Sequence, residues 1–284
     1  MTTTNVNVIS DGVMKMDGGC MFGPVPKVAW EDAVPTDRKN RITLGLNCLL
    51  LQSCGKTVLV DTGVGSKDTD NQRENLGLVP SRLIKGLRAM GLTHKDIEVV
   101  ILTNLNFDHC GGSTRLDRAG KVVPTFPNAR YVVQTSCWEE ARKPSERSSA
   151  NYHNYQSENF RPMEDRGQLE LMDGDTQIFP GLNVIVGGHP KGHQIVLFHH
   201  GGERIAFLGD LVPTPYHLEL RAISAFDYSP ENTLTQKKQV LVQAEREGWL
   251  LVFAHGHETK AGYLERRGDR SYLRPVELSQ SSMC

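Results

Sequence analysis

Polar residues able to do chemistry flank the short apolar runs of this chain at five places. The run Val58 to Val60 ends in Asp61, and Val99 to Thr103 opens into the cluster Asn104, Asn106, Asp108 and His109. Ile205 to Gly209 ends in Asp210, Leu250 to Ala254 ends in His255, and His193 precedes Gln194 to Phe198. Carboxylates and imidazoles at strand ends can be held in fixed relation at one edge of a sheet, which a metal or acid–base site requires. Each residue alone has a plainer explanation. Asp61, in "DTG", reads first as a loop-ordering carboxylate that accepts backbone N–H bonds, and an isolated histidine is more often an ordinary polar side chain than a ligand. The joint occurrence raises the metal reading. Within "ILTNLNFDHCGG" two of the four polar groups are amides, which are poor ligands for a transition metal.

The elements that must position these groups follow from hydrophobic patterning. Strand character marks Val58 to Val60, Val99 to Thr103, Ala129 to Gln134, Leu182 to Gly188, Gln194 to Phe198, Ile205 to Gly209 and Leu250 to Ala254. Helix signals lie between them. Ser81 is a candidate cap for a helix that Gly91 stops, and Ser229, Pro230 and Gly248 bracket a longer one. Strands interleaved with helices imply an α/β protein with sheets covered by helices on their outer faces. The chain has 284 residues, 38% of them hydrophobic, enough for a substantial core, and no Pro/Ser linker or repeat divides it. The expectation is one domain over 1–284, with an N-terminal substrate or dimer-contact segment at about 1–40.

A formal charge of -1 argues against a dedicated nucleic-acid or membrane surface and favours a small-molecule substrate. No run approaches the roughly 20 apolar residues that span a bilayer, and the N-terminus lacks a leader pattern, so a cytoplasmic location is expected. The six cysteines are scattered without a CxxC pair and read as reduced thiols.

The ordered series "TNLNFDHCGG", "GGHPKGHQ", "FLGD" and "VFAHGHE" resembles the motif set of the metallo-β-lactamase superfamily, in which a THxHxDHxGG segment precedes a later His, a bridging Asp and a last His. The stretches "DGGCMFGPVPKVAW" and "VLVDTGVGSK" resemble the lactonase-like and methyl-parathion-hydrolase-like subgroup. The resemblance implies a four-layer αββα sandwich, two mixed β-sheets with helices on the outer faces. It also implies a second metal site of Asp108, His109, Asp210 and His255, whereas Asn104 and Asn106 stand where the first site has imidazoles. Only His193 and the shared Asp210 remain there. His193 is preferred over His189, and His255 over His257.

One metal per chain is therefore expected, Zn²⁺ first, with Mn²⁺ or Fe²⁺ as alternatives. A single zinc can lower the pKa of bound water to about 7 and act as Lewis acid toward the carbonyl of a lactone, ester or related bond. Asp108 would be ligand or proton shuttle, and Asn104 and Asn106 would donate to the oxyanion. The competing readings are a catalytically impaired ligand-binding protein and a mononuclear iron enzyme of oxidative chemistry. Met21 and Phe22 near the N-terminus, and Tyr216 and His217 on the Pro-bounded loop after Asp210, are the candidate substrate contacts. A homodimer is compatible with the N-terminal aromatic segment.

Overall fold

The apolar runs are continuous because their strands are buried on both faces. In the computed structural model, which describes residues 4–67, 74–150, 159–187, 191–268 and 270–278, Val58 and Val60 face one core while Leu59 faces another. The same alternation splits Val99 and Ile101 from Val100, Ile205 and Phe207 from Ala206, and Leu250 and Val252 from Leu251.

In chain order the elements are β1 (Asn5–Asp17), α1 (Gly18–Phe22), β2 (Arg41–Ser53), β3 (Lys56–Val60), α2 (Leu83–Ala89), β4 (Val99–Ile101) and α3 (Phe107–Cys110). There follow β5 (Thr114–Leu116), β6 (Val122–Pro124), β7 (Arg130–Gln134), α4 (Thr135–Arg142), α5 (Glu146–Ala150), α6 (Arg161–Glu164), β8 (Leu169–Met172), β9 (Thr176–Phe179) and β10 (Leu182–Val186). The chain continues through β11 (Gln194–His200), β12 (Glu203–Phe207), α7 (Pro230–Glu247), β13 (Leu250–Val252), β14 (Ala261–Arg267) and β15 (Arg270–Pro275).

One sheet has the order β1-β2-β3-β4-β7-β8, antiparallel through its first three strands and parallel through the rest. The other has the order β15-β14-β13-β12-β11-β10-β9 and is antiparallel except for the β12–β13 pair. Val60, Ile101 and Val132 of the first sheet meet Val184, Phe207 and Val252 of the second in the central core. Leu83 and Leu87 of α2, with Cys137 and Trp138 of α4, cover the outer face of the first sheet, and Ala244 of α7 covers that of the second. This is the expected four-layer αββα sandwich.

The helix ends differ in detail from the sequence reading. Ser81 does not cap α2 itself. The buried Asp11 of β1 accepts the backbone N–H groups of Arg82 and Leu83 and the Ser81 hydroxyl, so the cap comes from 70 residues away. Ser229 makes no side-chain cap for α7; its own N–H is taken by Asp227 Oδ1, while Gly248 closes the helix in the left-handed region as expected. The N-terminal segment is more regular than expected, since β1 pairs along its length with β2. Among the described residues no helix is long and apolar enough to cross a membrane.

Candidate metal centre

The centre forms at one end of the two sheets. Asp61 leaves β3 with φ 58°, a left-handed conformation that Asp tolerates better than most residues. That turn aims its carboxylate across β4, where it accepts the Thr103 N–H at 2.8 Å and the Thr103 hydroxyl at 2.8 Å. It also accepts Nδ1–H of His109 at 2.7 Å. Asp61 is thus the loop-ordering carboxylate anticipated, and it fixes an imidazole as well.

Asp108 and His109 sit on the single turn α3, pressed against the loop after β3. A side chain on Gly111 or Gly112 would put Cβ 2.3 Å from the Val64 carbonyl or 2.2 Å from that of Thr62, which explains the glycine pair. Asp210 lies on the 3-10 turn Gly209–Leu211 that follows β12. His255 follows β13; its backbone N–H donates to Pro213 O at 2.8 Å and its Nδ1–H to Gly45 O at 2.9 Å. His257 is exposed, whereas His255 is buried beside His109.

Donor atoms then gather around the two imidazoles. His109 Nε2 is 3.1 Å from Asp210 Oδ1 and 3.2 Å from His255 Nε2. His255 Nε2 is 3.4 Å from both Asp210 Oδ1 and Asp108 Oδ2, and His109 Nε2 is 3.9 Å from Asp108 Oδ2. His109 Nε2, His255 Nε2 and an Asp108 oxygen lie mutually within 4.8 Å, and imidazole nitrogens with a carboxylate oxygen are donor types that suit zinc. The tautomers agree. Each Nδ1 faces an acceptor, a carboxylate for His109 and a carbonyl for His255, so each Nε2 presents a lone pair to the same point. Two lone pairs and two carboxylate oxygens directed at one point call for positive charge. Protonation answers the same demand: burial disfavours the His109 imidazolium, yet Asp210, Asp108 and Asp61 outweigh it and hold its pKa well above the ordinary histidine value. Burial likewise opposes charge on His255, but the Asp210 hydrogen bond and the nearby carboxylates raise its pKa.

The neighbouring amides are committed differently. Asn104 Oδ1 accepts the backbone N–H of Asn106 at 2.8 Å, which fixes the amide orientation, and Asn104 Nδ2 donates to Asp210 Oδ2 at 2.9 Å. His193 departs from the expectation of a ligand. Its Nδ1 is bonded to the Gly187 carbonyl and its Nε2 accepts the backbone N–H of Asp210 at 2.9 Å, so neither nitrogen has a lone pair to offer. Burial keeps this ring neutral by lowering its pKa. His193 therefore holds the Asp210 turn in place. Gly209, at φ 52°, makes this possible, because a Cβ there would lie 2.4 Å from His193 Nε2. His189 lies outside the described residues.

A cleft open to solvent leads to the centre. Met14, Met16, Met21, Leu44, Leu105 and Phe226 give it an apolar side, and Glu140, Arg147, Lys191 and Asp227 a charged one. Asn106, Asp108, Asp210 and His255 lie on its wall. Of the four expected substrate contacts, Met21 alone lines this cleft. Phe22 is buried in a stack, 4.7 Å from the Trp30 ring centroid and 4.9 Å from that of His217. His217 is itself buried, its Nε2–H donating to Met21 O at 2.9 Å and its Nδ1 accepting the Thr214 hydroxyl at 2.7 Å. This pair is a structural post that ties the N-terminal segment to the loop after Asp210, and Tyr216 points outward, 40% exposed. Met14 and Met16 escaped the sequence reading; their i, i+2 spacing on a strand was the available signal. Cys137 also lines the cleft, with burial pushing its thiol up to about 12, so it is not a nucleophile at neutral pH.

The family model of the metallo-beta-lactamase superfamily matches residues 42–255. The chain belongs to that superfamily. A probable metal-dependent hydrolase from Staphylococcus aureus superimposes with a TM-score of 0.85 at 29% identity, over 97% of this chain and 98% of that one. AidC, a dizinc quorum-quenching lactonase solved with a product, gives a TM-score of 0.76 at 19% identity, over 96% of this chain and 95% of that one. The N-acyl homoserine lactonase of Bacillus cereus is 24% identical over 236 residues, 78% of this chain and 86% of that protein. The matched span begins within β2 and ends at His255, so it encloses Asn104, Asp108, His109, His193 and Asp210.

Proposed function

We propose that this member of the superfamily is a hydrolase working with one divalent cation, zinc in the first instance, and cleaving an ester-type or lactone bond of a small molecule with an apolar part. The observation that carries the reading is the pair of Nε2 lone pairs 3.2 Å apart, with Asp108 Oδ2 3.4 Å from His255 Nε2 and Asp210 Oδ1 3.1 Å from His109 Nε2. Those four atoms would hold the cation. Mn²⁺ or Fe²⁺ would also suit the donor types, and two imidazoles beside carboxylates put zinc first. When bound, the cation supplies Lewis acidity toward a carbonyl oxygen and lowers the pKa of a coordinated water.

The single stoichiometry rests on Asn104. In the family pattern the matching aspartate bridges two metals; here Asp210 Oδ2 already takes the Asn104 N–H. The chain's other residues then divide the work. Asp61 and Gly45 O fix the two imidazoles in the tautomer that offers Nε2. Asn104 is spent on Asp210 and on Asn106 N–H, so Asn106, on the cleft wall, is the amide assigned to the developing oxyanion. Met14, Met16 and Met21 give the cleft an adaptable apolar side. The lactonase and hydrolase relatives support hydrolysis over oxidation.

The test pairs metal analysis of the purified protein with a hydrolysis screen over lactones, aryl esters and organophosphates. The expected result is about one equivalent of zinc and turnover of at least one class. Substoichiometric metal without turnover overturns the reading in favour of a ligand-binding protein. Stoichiometric iron with substrate-dependent oxygen uptake overturns it in favour of oxidative chemistry.

A further inference from the structure

Four successive backbone carbonyls of the turn that follows β13 are received by two residues of β2. Gly45 N–H donates to His255 O at 3.0 Å, and Asn47 N–H to Ala254 O at 2.9 Å. The Asn47 side chain closes both ends, its Nδ2 donating to Phe253 O at 3.0 Å and to Gly256 O at 2.7 Å. In return Gly45 O accepts Nδ1–H of His255 at 2.9 Å. The β13 ladder ends at Val252, and β2 belongs to the other sheet, so these carbonyls are held from across the sandwich.

Resting on the one-cation reading above, we propose that Asn47 is a positioning residue of the metal centre, whose side-chain amide locks the turn that carries His255. That turn sets His255 Nε2 at 3.2 Å from His109 Nε2, and at 3.4 Å from both Asp108 Oδ2 and Asp210 Oδ1. Carbonyls at the two ends of the turn face a single atom of Asn47, which identifies that atom as the amide nitrogen. Asparagine is the short side chain with two N–H groups on one atom; aspartate and alanine offer none, and serine and threonine offer one hydroxyl. Asn47 is buried, and its Oδ1 meets no donor among the described residues. Burying that oxygen unbonded costs free energy that an apolar residue would not incur, so the reason for an amide here lies in Nδ2. Gly45 permits the close approach, since a Cβ there would lie 2.5 Å from Gly256 O.

The lever from amide to ligand is short. Released at Phe253 O and Gly256 O, the turn keeps its main-chain bonds to β2 through residues 254 and 255 but is free to tilt about them, and the imidazole tilts with it. Zinc tolerates little of this, because its bonds to imidazole nitrogen are about 2.0–2.1 Å and directional. A second amide in the molecule separates positioning from general stability. Gln168 Nε2 donates to Pro127 O at 3.0 Å and to Ala129 O at 2.7 Å, spanning carbonyls of a turn that carries none of the donor residues.

The test compares the parent with Asn47→Ala and Gln168→Ala, each as the full chain. Zinc affinity is read by competition with a chromophoric chelator, ligand geometry by the visible spectrum of the cobalt-loaded protein, and stability by urea unfolding of the metal-free form. Asn47→Ala is expected to weaken zinc about 10–100-fold and to shift the cobalt bands. Gln168→Ala is expected to lose stability while keeping the parent's zinc affinity and cobalt spectrum. Parental affinity and spectrum in Asn47→Ala overturn the positioning role. An equal loss of zinc in Gln168→Ala overturns it too, by tracing the effect to stability. Should Asn47→Ala fail to fold, Asn47→Ser, which keeps one donor, decides by the same measurements. A parent that binds zinc but cleaves nothing overturns the hydrolase reading alone, and a parent that binds no zinc removes both.

Discussion

On one side of Asp210, Oδ1 faces His109 Nε2 at 3.1 Å and His255 Nε2 at 3.4 Å; on the other, Oδ2 takes an N–H from Asn104 at 2.9 Å. The first side presents lone pairs and formal negative charge to a common point. On the second, Asn104 is committed to Asp210 Oδ2 and to the Asn106 N–H, and His193 Nε2 to the Asp210 N–H. One carboxylate therefore divides a region that demands a cation from a region that has satisfied itself without one. The difference shows that a ligand is defined by where its lone pair points once its other atom is bonded, and residue type alone does not decide it.

The sharpest way to break this comparison is to remove a donor. His109→Ala should reduce bound zinc to a small fraction of the parent content, measured by elemental analysis, and lower hydrolysis by more than about 100-fold. Retention of zinc would mean that the cation sits elsewhere. Asp61→Asn is gentler, because Asn tolerates the same left-handed backbone and reaches the centre only indirectly, through the His109 Nδ1–H it orients. It should weaken zinc by about 10–100-fold, read by competition with a chromophoric chelator. The self-satisfied side is tested by Asn104→His with Asn106→His, which frees Asp210 Oδ2 and adds two imidazoles to it. Zinc content should then rise by about one equivalent, since three protein ligands suffice for a zinc with an open position. Unchanged stoichiometry would show that the amides are not what excludes the second ion.

How much of this was legible in the sequence depends on how local the cause was. Runs such as Val99 to Thr103 declare strands because both faces are buried, and Asp108, His109, Asp210 and His255 stand out by following such runs. The ordered motifs then fixed the sandwich. His193 was misjudged because its sequence neighbourhood is silent on which atoms receive its two nitrogens; one is Gly187 O, the other the backbone of residue 210. The α2 cap and the Phe22–His217 stack join positions 70 and more residues apart, beyond the reach of any local pattern.

His217 offers the last and smallest test, because it isolates burial from charge. Both His109 and His217 are buried imidazoles, but His109 has three carboxylates around it and His217 lies between a carbonyl and a hydroxyl. Burial therefore wins at His217 and lowers its pKa from 6.5 to about 4, with the Met21 carbonyl opposing and Lys237 and His255 assisting. A group whose folded pKa is depressed binds its proton more readily in the unfolded chain. Its contribution to stability is full above 6.5 and is lost as pH falls toward about 4. At about pH 5 the loss should be about 2 kcal/mol relative to about pH 7.5. Urea unfolding at the two pH values, in the parent and in His217→Gln, isolates this share, since every other titrating group is common to both proteins. The parent should lose about 2 kcal/mol more than the variant on acidification. Equal losses would mean that His217 takes up its proton in the folded state, and that burial alone does not separate the structural imidazole from the two that face the cation site.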